Sequence, residues 1–342
     1  MKKLFLPMLG LAAFCLGAQP SDVLTGFSYI NAVQPLGTEW QDPENLALNK
    51  EEPHNWLFSF GDAESARRVL PEHSDCWMSL DGTWKFHWSP TPDERPREFY
   101  LEGYDVSSWD DIEVPGSWNI QGLQPDGTQR YGTPIYVNQP VIFYHEVKEN
   151  DWREGVMRTP PADWTTYRAR NEVGSYRRTF TLPDTWSGHE VFINFDGVDS
   201  FFYLWINSYF VGFSKNSRNT AQFDITPYLV DGDNTLCVEV YRSSDGSFLE
   251  AQDMFRLPGI FRTVALEAKP KVHIRDLVIT PDLDDTYTDG TLTIAAQTTN
   301  LTDSRREGFR LVYDIFLCDL YSDDNTPVGS YTLDDPFSIN AS

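Results

Sequence analysis

Positive charge is scarce in this 342-residue sequence. It contains 27 lysines and arginines against 51 aspartates and glutamates, so its formal net charge is −24 at pH 7. Nucleic acids and anionic membranes would repel a chain this acidic, and neither is expected as a partner. Neutral sugars are indifferent to the charge, and they remain a candidate class of ligand.

Cysteine is also rare, with four in the chain. Cys15 falls in a segment that we expect to be removed, which leaves Cys76, Cys237 and Cys318. An odd, widely spaced set is not a disulfide framework. No CxxC or HxxxH pair occurs among the cysteines and the six histidines, so the sequence gives little support for a transition-metal site.

The apolar run at the N-terminus, residues 4–16, is too short to span a membrane comfortably. Lys2 and Lys3 precede it, and Gly17 and Ala18 follow it. This arrangement is typical of a secretory signal peptide over residues 1–18 with cleavage after Ala18. The mature protein is therefore expected to be exported, either periplasmic or secreted, with no membrane span.

A sustained 3.6-residue apolar period is missing, apart from a short helix candidate at residues 62–70. Short strand-like segments separated by Asp-Gly turns take its place from residue 75 to residue 269. These segments lie at residues 84–88, 176–180, 191–195, 202–206, 236–241 and 263–266. The pattern predicts an all-β chain whose main domain, residues 75–269, is a jelly-roll β-sandwich.

Pro270 marks the start of a second predicted domain, residues 270–342. Strand-like segments occur at residues 272–274, 277–280, 292–295 and 311–316, and residues 334–342 show no obvious closing strand. An immunoglobulin-like sandwich needs about 100 residues, and 73 remain here. The sequence predicts a partial, truncated immunoglobulin-like β-sandwich and no (β/α)8 barrel.

The segment between the signal peptide and the jelly roll, residues 19–74, is irregular. It contains Trp40, Trp56, Phe58 and Phe60, whose large apolar side chains need burial. We expect this segment to pack on a sandwich or on a neighbouring subunit.

Residues 241–262 read YRSSDGSFLEAQDMFRLPGIFR. This stretch resembles the sugar-binding-domain signature of the large bacterial β-galactosidases of glycoside hydrolase family 2. Further segments resemble the same family in the same order: residues 40–45 (WQDPEN), 79–84 (SLDGTW), 114–118 (VPGSW), 134–138 (PIYVN), 174–180 (GSYRRTF), 195–200 (FDGVDS) and 223–226 (FDIT). Each segment alone is weak evidence, and their shared order carries the resemblance.

The resemblance implies a function for the intact family, the hydrolysis of terminal non-reducing β-D-galactose residues with retention. Two glutamates on a (β/α)8 barrel perform that reaction, and the barrel would lie beyond residue 342 together with the family's magnesium site. We therefore expect no catalytic residue in this chain and no turnover by the chain alone. A homo-oligomer or a complementing chain that carries the barrel is the expected partner.

Two residues receive a binding role from the resemblance alone. Asn138 matches an asparagine whose amide binds the sugar in the galactose subsite. Asp245 matches an aspartate that binds sugar hydroxyls and helps to hold a monovalent cation, usually sodium. The ordinary alternatives are a loop asparagine that caps nearby backbone and an Asx-type turn before Gly246. In the intact family the acid/base glutamate follows an asparagine, and Asn171-Glu172 has the same order. Because this dipeptide precedes a sandwich strand and not the end of a barrel strand, we interpret the likeness as coincidental.

A second function stays open at this point. The chain could be a stand-alone carbohydrate-binding or accessory module, or an interface module, without enzymatic activity. β-Galactoside sugars are the expected ligands in either case, with weak or no binding by the isolated chain.

Overall fold

The computed structural model describes residues 34–68, 70–134, 171–250, 254–318, 325–333 and 336–341. Three helices of four residues each occur there: α1 Ala63–Ala66, α2 Trp118–Gln121 and α3 Ser247–Glu250. The strands of the first part are β1 Ala47–Leu48, β2 Trp77–Ser79, β3 Gly82–Ser89, β4 Asp110–Val114, β5 Val173–Thr181, β6 Glu190–Phe195, β7 Val198–Asp199, β8 Phe201–Ile206, β9 Tyr209–Ser214, β10 Ala221–Asp224, β11 Asp233–Tyr241, β12 Gly259–Ile260 and β13 Val264–Lys269. Those of the second part are β14 Val272–Leu283, β15 Gly290–Asn300, β16 Arg306–Phe309, β17 Val312–Cys318, β18 Asn325–Thr332 and β19 Phe337–Ile339.

Two antiparallel sheets form the first part. A seven-stranded sheet has the order β1-β9-β8-β11-β5-β3-β4, and a four-stranded sheet has the order β10-β6-β13-β2. A two-stranded ribbon, β12-β7, lies beside them. The predicted all-β jelly-roll sandwich is confirmed, and the strands predicted between residues 84 and 266 all occur.

Strand β8 shows how the side chains divide between two cores. Phe202, Leu204 and Ile206 enter the cluster between the sheets. The alternate residues Phe201, Tyr203 and Trp205 enter a second cluster on the opposite face. Successive side chains of a strand point to opposite faces, so a strand that is apolar at every position must be covered on both sides.

Two segments outside the sandwich cover the second cluster. One is the loop that carries Phe99 and Trp109, and the other carries Trp40. Trp40 is 7% exposed and stacks on Tyr241 with ring centroids 5.6 Å apart. We call residues 34–57 the N-terminal arm. Its strand β1 pairs with the edge strand β9, so the arm packs on the sandwich as expected.

Trp56, unlike Trp40, is not buried against the sandwich. Its side chain is 70% exposed and contacts Phe58 edge-on, with ring centroids 4.6 Å apart. The arm lies over the outer face of the four-stranded sheet here, where the backbone amide of Glu51 donates to the carbonyl of Gln222.

The described strands of the second part form antiparallel pairs. β14 pairs with β15, β16 with β19 and β17 with β18. Two predicted strands are joined in β14, which continues through a bulge between Ile274 and Asp276. The C-terminal residues form the short strand β19, contrary to expectation, because backbone pairing with β16 defines it without any pattern of its own. The immunoglobulin-like arrangement stays a prediction.

The predicted helix at residues 62–70 is present as the single turn α1. Asp62 caps it by accepting hydrogen bonds from the backbone amides of Glu64 and Ser65. Within the described residues, no helix has both the length and the apolar character needed to cross a membrane.

Candidate functional site

The candidate site lies where β11 ends, in the loop that carries Asp245. Ser244 and Ser247 close this loop through two hydrogen bonds of 3.0 Å, one from each backbone amide. The amide of Glu250 donates to the carbonyl of Gly246 at 3.0 Å, which begins α3. Asp245 therefore sits in a compact turn at one end of the sandwich, and its side chain is 15% exposed.

Asp245 is ion-paired with a lysine that sequence reasoning missed. Its Oδ1 lies 2.8 Å from Nζ of Lys215, whose side chain is 3% exposed. The same ammonium donates to the carbonyl oxygen of Asp42 at 2.6 Å, and the amide of Asp245 donates to the carbonyl of Trp40 at 2.9 Å. These contacts tie the loop to the N-terminal arm. No sequence pattern connects residues 215 and 245, because tertiary packing brings them together.

The surroundings of Asp245 do not fit a bound sodium ion, because the ammonium group of Lys215 already pairs with its carboxylate. Lys215 already supplies the positive charge that a monovalent cation would supply to this carboxylate. Among the described residues, no three His, Cys, Asp or Glu side chains converge in a way that could hold a metal ion. We assign no step to sodium, and the sugar role of Asp245 stays a prediction. Asn138 lies outside the described residues, so its role stays a prediction as well.

A buried ion pair lies at the start of this loop. Arg242 Nη1 lies 2.7 Å from Glu172 Oε2, and the two side chains are 2% and 0% exposed. Arg242 Nη2 also donates to the carbonyl of Thr133 at 2.8 Å, and the indole NH of Trp118 donates to Glu172 at 3.4 Å. Glu172 is sealed from solvent, so its position is that of a structural group.

Asn171 fixes the backbone of the same loop. Its amide nitrogen donates to the carbonyl of Ser243 at 2.7 Å, and its amide oxygen accepts from the amide of Ser243 at 2.9 Å. This two-point contact lies two residues beyond the end of the pairing of β5 with β11. The dipeptide Asn171-Glu172 therefore has a structural role, since both side chains contact residues at the start of this loop.

A second charged group lies next to this network. Asp199 Oδ2 is 3.2 Å from Arg218 Nη2, and the Asp199 side chain is 17% exposed. Burial raises the pKa of Asp199 to about 6, against the opposing attraction of Arg218, and the nearby Glu250 raises it further. The folded protein therefore binds a proton at this carboxyl at a higher pH than the unfolded chain does.

The raised pKa of Asp199 predicts a pH-dependent effect of Asp199→Asn. Above pH 6 the folded state holds a poorly solvated carboxylate, and this cost disappears as the pH falls from about 6 toward 3.8, the ordinary pKa of an aspartate. The variant should gain about 2 kcal/mol in free energy of unfolding over the parent at pH 8, with the gain shrinking toward pH 4. Urea unfolding across this pH range measures the difference.

Asp93→Asn is the control for that experiment, because Asp93 is 94% exposed. It should show no such pH-dependent difference. A constant difference for Asp199→Asn at every pH would contradict a raised pKa.

A family profile and the curated relatives of this chain indicate the same family. Residues 77–270 match the profile of the glycosyl hydrolases family 2, sugar binding domain. The chain is 40% identical over 263 residues to a protein named beta-galactosidase from Priestia megaterium, covering 77% of this chain and 24% of that protein. It is 36% identical over 255 residues to a protein named beta-galactosidase large subunit from Lactobacillus helveticus, covering 73% of this chain and 38% of that subunit.

Solved structures share the fold. A beta-glucuronidase from Bacteroides uniformis superposes with a TM-score of 0.53 at 20% identity, over 78% of this chain and 26% of that one. A beta-glycosidase from Bacteroides vulgatus gives a TM-score of 0.50 at 21% identity, over 77% of this chain and 29% of that one. At this level of identity the likeness concerns the fold alone.

The described strands and the profile match agree with one another. The chain spans about a quarter of the length of the curated relatives first matched, at 24% and 23%. The chain belongs to glycosyl hydrolase family 2, and residues 77–270 are its sugar binding domain.

Proposed function

We propose that this chain is the N-terminal, sugar-binding portion of a β-galactosidase. The 40% identity over 263 residues to a relative named beta-galactosidase is the observation that carries the proposal. The loop geometry supports it, since Asp245 is held at one end of a rigid sandwich, where binding groups are commonly placed. In this proposal Asn138 and Asp245 contact galactose hydroxyls and contribute to binding rather than to bond cleavage.

The proposal extends to partners and location. Two of the curated relatives are named beta-galactosidase large subunit, which favours a further polypeptide as a partner of this chain. The basic and apolar N-terminal residues favour export. The alternative function is a stand-alone carbohydrate-binding or accessory module, and the experiment below separates the two.

The experiment is a chimera in which residues 40–270 replace the matching part of the Priestia megaterium protein. We expect the chimera to hydrolyse an aryl β-galactoside, because the proposed contacts to galactose are transferred with the segment. A soluble chimera with native-like circular dichroism and no turnover, beside an active parent, would contradict the proposal. It would favour the stand-alone module.

Single substitutions in the chimera test the two proposed sugar contacts. Asn138→Ala and Asp245→Ala should each raise KM about tenfold or more, because a hydroxyl loses its hydrogen-bond partner. Asp231→Ala is the matched control, since Asp231 also precedes a glycine in an exposed turn. It should leave KM unchanged.

The Lys215 contact makes the Asp245 experiment sharper. Asp245→Ala also leaves the buried ammonium of Lys215 without its carboxylate, which lowers stability whatever the role of Asp245. The double variant Asp245→Ala/Lys215→Met removes that penalty. If Asp245 binds sugar, the double variant regains thermal stability and keeps the raised KM. If thermal stability and KM both return to the parent values, Asp245 has only a structural role.

A further inference from the structure

The outer face of the four-stranded sheet carries a polar surface that the family assignment leaves unexplained. Along β6, β10 and β13, alternate residues such as Ile193, Phe223 and Leu266 enter the core. Their neighbours Asn194, Gln222 and Glu267 therefore point outward. The strand register places Gln222 beside Asn194, so amide and carboxylate groups form one patch on this face.

The N-terminal arm turns this patch into a cavity. Arm residues from Lys50 to Leu57 and the sheet enclose a volume of about 580 Å³. Trp56 stands at its rim with its indole 70% exposed. The backbone amide of Glu51 donates to the carbonyl of Gln222 at 2.8 Å, which fixes the arm over the sheet.

The polar side chains that the sheet contributes to the cavity hold one another in fixed orientations. Gln222 Nε2 donates to Asn194 Oδ1 at 2.8 Å, and Gln222 Oε1 lies 2.9 Å from His54 Nε2. Glu267 Oε2 pairs with Lys269 Nζ at 3.2 Å. These contacts hold the amides and the carboxylate in fixed positions, which is how a preformed ligand site is arranged.

One carboxylate oxygen of Glu267 has no hydrogen-bond donor among the described residues. Glu267 is 2% exposed and lines the cavity, yet its Oε1 accepts no hydrogen bond from the described residues. Burial raises the pKa of this carboxyl, against the opposing attraction of Lys269. A buried acceptor without a donor is costly. That oxygen has almost no solvent-accessible surface, so the side chain must turn toward the cavity before a donor of a ligand can reach it.

The charged residues that line the cavity limit which ligands it can bind. Glu51, Glu52, Asp196 and Glu267 outnumber Lys50 and Arg262, so anions are disfavoured. An exposed aromatic face beside fixed amides and a carboxylate suits a pyranose ring, whose apolar face packs on an indole while its hydroxyls bond to the polar groups.

We propose that this cavity binds a neutral saccharide, with one sugar ring against Trp56 and a hydroxyl that donates to the carboxylate of Glu267. The site uses neither Asn138 nor Asp245, so it goes beyond the proposed function. It gives the domain a second point of attachment to a glycan.

The experiment measures lactose binding to the full chain by saturation-transfer NMR and by titration of backbone amide shifts. We expect millimolar binding that Trp56→Ala weakens about tenfold through loss of ring stacking. Tyr287→Ala is the matched control, since Tyr287 is 81% exposed and lies on the β14-β15 hairpin. It should bind as the parent does. Glu267→Gln should also weaken binding, and circular dichroism checks its fold.

The outcomes that overturn this inference are separate from those that test the proposed function. Lactose binding that Trp56→Ala leaves intact and Asn138→Ala abolishes would reject the cavity and leave the proposed function standing. Spermidine binding that depends on Trp56 and Glu267, without lactose binding, would show a cation site instead of a saccharide site. Binding that survives Asn138→Ala and Asp245→Ala and is lost in Trp56→Ala supports the cavity.

Discussion

Arg242→Met should lower the free energy of unfolding by about 3–5 kcal/mol, since it leaves the buried carboxylate of Glu172 without its ion pair. Glu172 is 0% exposed and its Oε2 lies 2.7 Å from Arg242 Nη1. The substitution also frees the carbonyl of Thr133 from its bond to Arg242. Urea unfolding, followed by tryptophan fluorescence, measures the loss.

The control for this prediction is an ion pair of the same chemistry on the surface. Arg97 lies 3.3 Å from Asp93, and their side chains are 62% and 94% exposed. Arg97→Met should cause no measurable change, because solvent screens an exposed pair. The double variant Glu172→Leu/Arg242→Met should recover much of the lost stability, since it removes both buried charges. An equal effect of Arg97→Met and Arg242→Met would contradict the argument.

The strands of the sandwich could be predicted because short runs of large apolar residues separated by turns are a local property. The predicted segments at residues 176–180 and 202–206 lie within β5 and β8. Strand β9 was not predicted. Five of its six residues are buried, so it shows no alternation of apolar and polar residues. The strand is defined by pairing with β8 and β1, which no local pattern records.

The candidate site could be predicted only in part. The resemblance placed Asp245 in the correct loop, but the contact with Lys215 joins residues 30 positions apart in sequence. The same holds for the pair Glu172 and Arg242, which are 70 positions apart. The packing of the strands in three dimensions determines which charged residues form these pairs. The sequence shows that charged residues are present without showing which of them are buried together.

Trp40→Ala should lower the free energy of unfolding by about 3 kcal/mol, as expected when a buried tryptophan is truncated. Trp40 is 7% exposed, stacks on Tyr241 and accepts the backbone amide of Asp245 at its carbonyl. The truncation leaves a cavity over the second cluster and loosens the arm where it contacts the Asp245 loop. Urea unfolding and amide hydrogen exchange of residues 243–247 measure both consequences.

Trp56→Ala is the matched control, because it removes the same side chain from the same arm. Trp56 is 70% exposed, so its truncation should change the free energy of unfolding by less than about 0.5 kcal/mol. Amide exchange in residues 243–247 should then stay as slow as in the parent protein. If Trp40→Ala leaves that exchange unchanged while lowering stability, the arm contributes apolar packing alone and does not position Asp245. Faster exchange in Trp40→Ala and parent-like exchange in Trp56→Ala would show that the arm holds the candidate sugar-binding loop in place.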